Sequence, residues 1–206
     1  MRKTIFLLTL VSLVLSACMP KREVLFNGKN LDGWVFFTAE PAEGVTIDEP
    51  TFSVRDRAIH ISGKPNGYIR TEKKYTDYIL YLEWRWTEGR ADSGIFNRLQ
   101  DGDKVWPTGI QMQMRERDFG FFFSGLPLEG VEGERSWRKP PLEEKDPEKA
   151  DGEWNETVIV CKGGEISAMV NGVLVNEAVA EATEGYIGLQ SEGGPIEFRN
   201  IFVMPL

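Results

Sequence analysis

One histidine (His60) and two cysteines (Cys18 and Cys161) are all that 206 residues contain. A zinc site built from the usual imidazole and thiolate ligands is therefore excluded. A Ser-His-Asp triad would have to use His60, and no nucleophile-elbow pattern accompanies it. Basic residues are also in deficit, 24 against 32 acidic, for a formal charge of −8. Phosphate recognition needs a basic stripe, so nucleic acid is not an expected partner. Long amphipathic helical periodicity is missing as well.

The apolar run 5–15 is too short to span a bilayer, and it follows the basic pair Arg2 and Lys3. Leu15-Ser16-Ala17-Cys18 comes next, with small residues immediately before a cysteine. This resembles a bacterial lipoprotein signal, the plainer alternative being an ordinary secretory signal with a coincidental cysteine. Residues 1–17 are expected to be removed, and Cys18 to be lipidated. The expected product is an exported protein whose only contact with a membrane is its lipid anchor. Cys161 is then left without a thiol partner, so packing must hold the chain together. Cys161 ends the apolar run 158–160, which suits a small buried residue.

What the chain does have is short alternating segments separated by turns. Strands are expected at 24–26, 31–37, 52–54, 58–62, 68–70, 78–87, 94–99 and 109–115, followed by a meander from about 151 to 202. Asn171-Gly172 between two β-branched runs is a strong hairpin signal. In 78–87, Leu82, Trp84 and Trp86 fall on one side and Tyr81, Glu83 and Arg85 on the other. In 109–115, Ile110, Met112 and Met114 oppose Gln111, Gln113 and Arg115. The segment from about 119 to 150 is expected to be a long loop. The sum is an all-β sandwich of two antiparallel sheets, of jelly-roll type, with little helix, forming one domain over 18–206.

A sandwich of this kind offers one sheet face to an extended polar ligand. Alternation assigns Glu83, Arg85, Gln111, Gln113 and Gln190 or Glu192 to it. Trp106 and Trp137 sit in loops, where an indole face can stack on a pyranose ring. The acid/base candidates are Glu83, Asp92, Asp118, Glu192 and Glu197. Glu197 and Arg199 share a face and are expected to pair. No cofactor is expected. Calcium stays open, with Asp101-Gly102-Asp103 as its weak hint beside a plain turn.

Several segments in order resemble the 3-keto-disaccharide hydrolase domain family of concanavalin-like jelly rolls. They include Leu25-Phe26-Asn27-Gly28 through Asp32-Gly33-Trp34, Glu83-Trp84-Arg85, and Asp92-Ser93-Gly94-Ile95-Phe96. Trp106-Pro107, Asp118-Phe119, Gly152-Glu153-Trp154-Asn155 and Gly188-Leu189-Gln190-Ser191-Glu192-Gly193 follow. Two positions depart from the family pattern. Gln111 stands where relatives commonly carry glutamate, and Asn97-Arg98 where close relatives read Leu-His. The resemblance implies a carbohydrate substrate and elimination chemistry at a 3-keto-glycoside. For that chemistry Glu83, Asp118 or Glu192 would exchange protons and Arg85 or Arg98 would steady an enolate, while Trp106, from its place in a loop, and Gln111, Gln113 and Gln190, from alternation, are the residues expected to bind sugar. Two alternatives remain: a non-catalytic carbohydrate-binding lipoprotein, and a protein-binding module with an exposed apolar patch at Phe121 to Phe123.

Overall fold

The computed structural model describes residues 21–44, 46–115, 119–126, 135–138 and 147–206. Fifteen strands build two sheets, and the described residues contain no α-helix. The first sheet runs, edge to edge, through β13 (Val173–Val179), β12 (Glu165–Val170), β11 (Asn155–Lys162), β6 (Tyr78–Trp86), β15 (Ile196–Pro205), β4 (Ala58–Ile61) and β3 (Phe52–Arg55). The short β1 (Glu23–Val24) pairs with the far end of β15. The second sheet runs through β10 (Arg135–Arg138), β9 (Phe121–Ser124), β8 (Gly109–Gln113), β7 (Gly94–Leu99), β14 (Tyr186–Ser191), β5 (Gly67–Thr71) and β2 (Trp34–Thr38). All ladders are antiparallel. This is the jelly-roll sandwich expected from the sequence.

Burial follows the pleat. On β6, Tyr78, Leu80, Leu82, Trp84 and Trp86 are buried while the residues between them are partly exposed. Ile110 and Met112 on β8 meet them from the other sheet, joined by Met114 just beyond the strand. Trp84 and Trp86 lie edge to face at 5.9 Å. Their indole N–H groups donate to Thr157 Oγ1 and Glu148 Oε1, each at 2.9 Å, so neither donor is stranded in the core. The Asn171-Gly172 turn closes β12 onto β13 with both residues at positive φ, as a tight hairpin turn of this type requires.

Three expectations change. The segment 119–150 is not all loop, because β9 and β10 extend the second sheet within it. Phe119, Phe121 and Phe123 are fully buried, so the apolar patch expected of a protein-binding module is core instead. Glu197 and Arg199 do not pair. Glu197 binds Arg85 and Arg199 binds Glu83, because cross-strand neighbours on β6 lie nearer than same-strand ones. Cys161 is enclosed, and burial pushes its thiol up to about 11.

Trp84→Ala should cost about 3–5 kcal/mol of stability, since it empties a filled site and strands Thr157. Trp106, which is 41% exposed, should cost under about 0.5 kcal/mol on the same change. Urea unfolding of the two variants checks the contrast.

Candidate functional site

The candidate residues separate onto opposite faces of the sandwich. Alternation tells inside from outside on each strand but not which sheet the strand joins. β6 belongs to the first sheet and β8 to the second, so their outward residues face away from each other. Glu83 and Arg85 therefore do not share a face with Gln111, Gln113, Gln190 and Glu192.

On the first sheet's outer face, Glu83 accepts from Arg199 Nε at 2.7 Å, from Asn200 Nδ2 at 2.7 Å and from the Tyr81 hydroxyl at 3.2 Å. Burial pushes the Glu83 carboxyl up, but these donors together hold it below the usual carboxylate range. Arg85 donates to Glu197 Oε2 at 2.8 Å, and both Arg85 and Arg199 lie against the Trp154 ring. His60 stands beside this network, with Nδ1 3.7 Å from Glu197 and Nε2 3.8 Å from Glu49. The arrangement is a set of mutually neutralised charges.

Arg98, expected to bind substrate, is fully buried. The β7–β14 register shifts at Tyr186 to Gly188, and Arg98 takes a positive φ there. The bulge leaves Phe96 and Leu99 in one outer cluster and carries Arg98 inward. Its guanidinium donates to the Ala182 carbonyl, and its charge acts on Tyr78 and Cys161 inside the core. Asp118 lies outside the described residues, as do Cys18 and the side chain of Trp137.

The second sheet's outer face brings the others together. Gln111 Nε2 donates to Gln113 Oε1 and to Gln190 Oε1, each at 2.9 Å, and Gln190 Nε2 donates to Glu192 Oε2 at 2.9 Å. Gln111 and Gln190 are almost fully buried. Gly94 makes room for this ladder, because a Cβ there would stand 2.3 Å from Gln111 Nε2. Alongside the ladder, Tyr68, Phe96 and Leu99 form an enclosed cluster flanked by Phe37 and Tyr186. The loop 100–108, which carries the exposed Trp106, is tied to this cluster. Asp103 accepts from the Tyr68 hydroxyl at 2.7 Å and from Arg70 at 3.0 Å, and Asp101 accepts from Lys74 and Tyr186. Both acids of the Asp-Gly-Asp turn are thus engaged. Among the described residues, no three His, Cys, Asp or Glu side chains are grouped to hold a metal ion.

The ladder ends in a cavity of about 480 Å³, within the size range of small-molecule sites. It is lined by Gly63, Lys64, Asn66, Arg90, Ala91, Asp92, Arg115, Glu192 and Gly193. Asp92 bridges the backbone of Glu192 and Gly193, which sets the two carboxyls side by side. Burial, then the Asp92 charge, pushes Glu192 up to about 7, and Arg115 pulls the other way. Arg115 Nη1 lies 3.9 Å from Asp92. A carboxyl that changes charge near neutrality, beside one that is a like charge, is the usual arrangement of an acid/base group. Lys64 was not anticipated. It sits in a turn between strands, and only the packing of that turn against Gly194 brings it to the cavity.

Fold and site together define a jelly-roll domain with a polar, titratable cleft on one sheet. Residues 21–204 match the family described as the 3-keto-alpha-glucoside-1,2-lyase-like domain. The chain belongs to this family of carbohydrate-active jelly-roll domains, the one its sequence resembles. A "putative glycosyl hydrolase" from Parabacteroides distasonis ATCC 8503 is similar in structure, with TM-score 0.67, 21% identity, and coverage of 90% of this chain and 94% of the other. The carbohydrate binding module CBM66 from Bacillus subtilis is similar with TM-score 0.55 and 15% identity, over 82% and 93%. A beta-glucanase from Bacillus licheniformis is similar with TM-score 0.57 and 14% identity, over 89% and 96%. These likenesses establish the fold. A search of the curated proteins finds no match.

A raised carboxyl binds its proton more tightly in the native state than in the unfolded chain. Glu192 therefore contributes stability in full below about pH 4.5, and that contribution is lost as pH rises through about 7. Glu192→Gln should match the wild type in urea unfolding near pH 4.5 and exceed it near pH 8.

Proposed function

We propose that the chain is an exported lipoprotein, anchored through Cys18, that cleaves 3-keto-glycosides by elimination with Glu192 as the proton acceptor. What supports the elimination reading is the place of Glu192 beside Asp92 at the edge of a cavity of small-molecule size, where burial raises its carboxyl. Oxidation at C3 acidifies the C2 proton of a glycoside. Glu192 takes that proton, and the C2–H bonding pair moves onto the C3 oxygen as an enolate. The enolate pair then returns to form the C1–C2 double bond, the C1–O bond breaks, and the aglycone oxygen leaves with its bonding pair and takes a proton from solvent. Water then adds at C1 and a proton returns to C2, giving the free 3-keto sugar.

Charge develops on the C3 oxygen as the C2 proton leaves, and Arg115, one of three cations lining the cavity with Lys64 and Arg90, is the one assigned to meet it. Asp92 has a different part. It adds to the larger effect of burial in keeping the Glu192 proton affinity high enough for exchange near neutral pH, where general acid/base catalysis is most efficient. Glu83 and Arg85 take no part in this scheme, because their partners are already fixed on the opposite face.

Purified protein incubated with 3-keto-glucosides, with and without calcium, should release the aglycone. The kcat/KM should rise with pH through about 7, because Glu192 must be ionised to accept the proton. Glu192→Gln should lower it by about 10²–10⁴-fold, the usual contribution of a positioned base. Absence of turnover by the wild type under all these conditions overturns the proposal.

Gln111 favours a second reading, a carbohydrate-binding lipoprotein without catalysis. Glutamine does not titrate, and amide ladders suit the hydrogen bonding of sugar hydroxyls. Calorimetry with neutral oligosaccharides would then show binding with no product, whereas any cleavage removes this reading.

A further inference from the structure

An amide side chain has a donor end and an acceptor end, and its neighbours decide which end goes where. In the ladder of Gln113, Gln111, Gln190 and Glu192 that decision begins at the backbone. The Met114 N–H, which also donates to the Ser93 carbonyl, lies 3.2 Å from Gln113 Oε1. A backbone N–H can only donate, so the acceptor end of Gln113 is fixed toward it. Gln113 Oε1 then also accepts from Gln111 Nε2. The second N–H of Gln111 goes to Gln190 Oε1, and this turns the Gln190 amino group onto Glu192 Oε2. Reversing any one amide sets two donors or two acceptors against each other. With Gln111 and Gln190 almost fully enclosed, water cannot relieve such a clash.

We infer that Gln111 is a positioning residue that acts through Gln190 to keep Glu192 Oε2 an acceptor, so that the exchangeable proton of Glu192 resides on Oε1. The inference rests on the reading of Glu192 as the acid/base group, and it deepens that reading. An oxygen that always accepts favours the ionised carboxylate. The ladder thus works against the burial and the Asp92 charge that favour the proton. It also makes the residue type at position 111 consequential. A carboxylate there cannot donate to Gln190. Gln190 would then turn its amino group toward position 111 and its oxygen toward Glu192, which would have to carry a proton on Oε2 to satisfy it.

The test is the titration of Glu192 itself, followed by carboxyl carbon NMR in the purified, isotopically labelled protein. It therefore stands apart from any turnover of 3-keto-glycosides. Gln190→Met should raise the Glu192 titration by about one unit, a tenfold loss of ionised base at a given pH. Gln111→Met should raise it too, and in the Gln190→Met background it should add nothing, because its only route to Glu192 is gone. Gln111→Glu should raise it further than Gln111→Met. Where substrate is turned over, the acid limb of kcat/KM should move by the same amount in each variant. An unmoved titration in Gln111→Met, or shifts that simply add in the double variant, overturns the inference. Should Gln111→Met fail to fold, Gln111→Glu carries the test, and a Glu192 titration unmoved or lowered in it is the contrary result.

Discussion

The enclosed side chain of Glu148 holds the core and the rim of the cavity in one register. Its side chain is only 1% exposed, and Oε1 accepts from Trp86 Nε1 at 2.9 Å and from Arg90 Nε at 2.8 Å. Trp86 belongs to the packed interior and Arg90 to the cavity wall, so one oxygen links the two. The segment that carries Glu148 is itself pinned. Asn155 Oδ1 accepts from the Lys149 N–H, and Asn171 Nδ2 donates to the Pro147 carbonyl. The hairpin turn at Asn171-Gly172 thus reaches, through a few hydrogen bonds, to the place where chemistry is proposed. Removing one partner of a buried ion pair costs about 3–5 kcal/mol, because the other charge is left uncompensated. Core and site are therefore expected to respond together when this segment is disturbed.

The sandwich was legible because its strongest signals are local. The alternation of Leu82, Trp84 and Trp86 against Tyr81, Glu83 and Arg85 matches the burial of β6 residue by residue. The hairpin at Asn171-Gly172 needs only its two turn residues. Where the sequence reading erred, the missing information was long-range. Phe121 and Phe123 read as a loop because a four-residue strand among charges and prolines carries little periodicity. They are buried because β9 pairs with β8, a partner the local pattern cannot name.

The site was legible only in part, for a related reason. Parity turns Gln111, Gln113 and the Gln190 and Glu192 pair outward, and the structure brings them together because β8 and β14 join the same sheet. Glu83 and Arg85 have equally clear parity but sit in the other sheet. Arg98 is expected at the site only through the family resemblance, and a bulge, which adds one residue and inverts the alternation beyond it, carries it into the core instead. Lys64 gave no signal at all, since its place depends on a turn packing against a distant glycine. Asp92 stood out only as one of several turn acids. Its importance is positional, in the bridge that sets it beside Glu192.

The family, the cleft and the raised carboxyl of Glu192 lead to one chemical distinction. Elimination breaks the C2–H bond, whereas ordinary glycoside hydrolysis leaves it intact and uses a carboxylate pair about the anomeric carbon. Cleavage of a 3-keto-glucoside in heavy water, with the C2 position of the released sugar read by mass spectrometry and NMR at early times, separates the two. The account predicts that solvent deuterium appears at C2 of the product while recovered substrate stays unlabelled or labels only there. Product formed by the wild type with its original C2 hydrogen fully retained would contradict it.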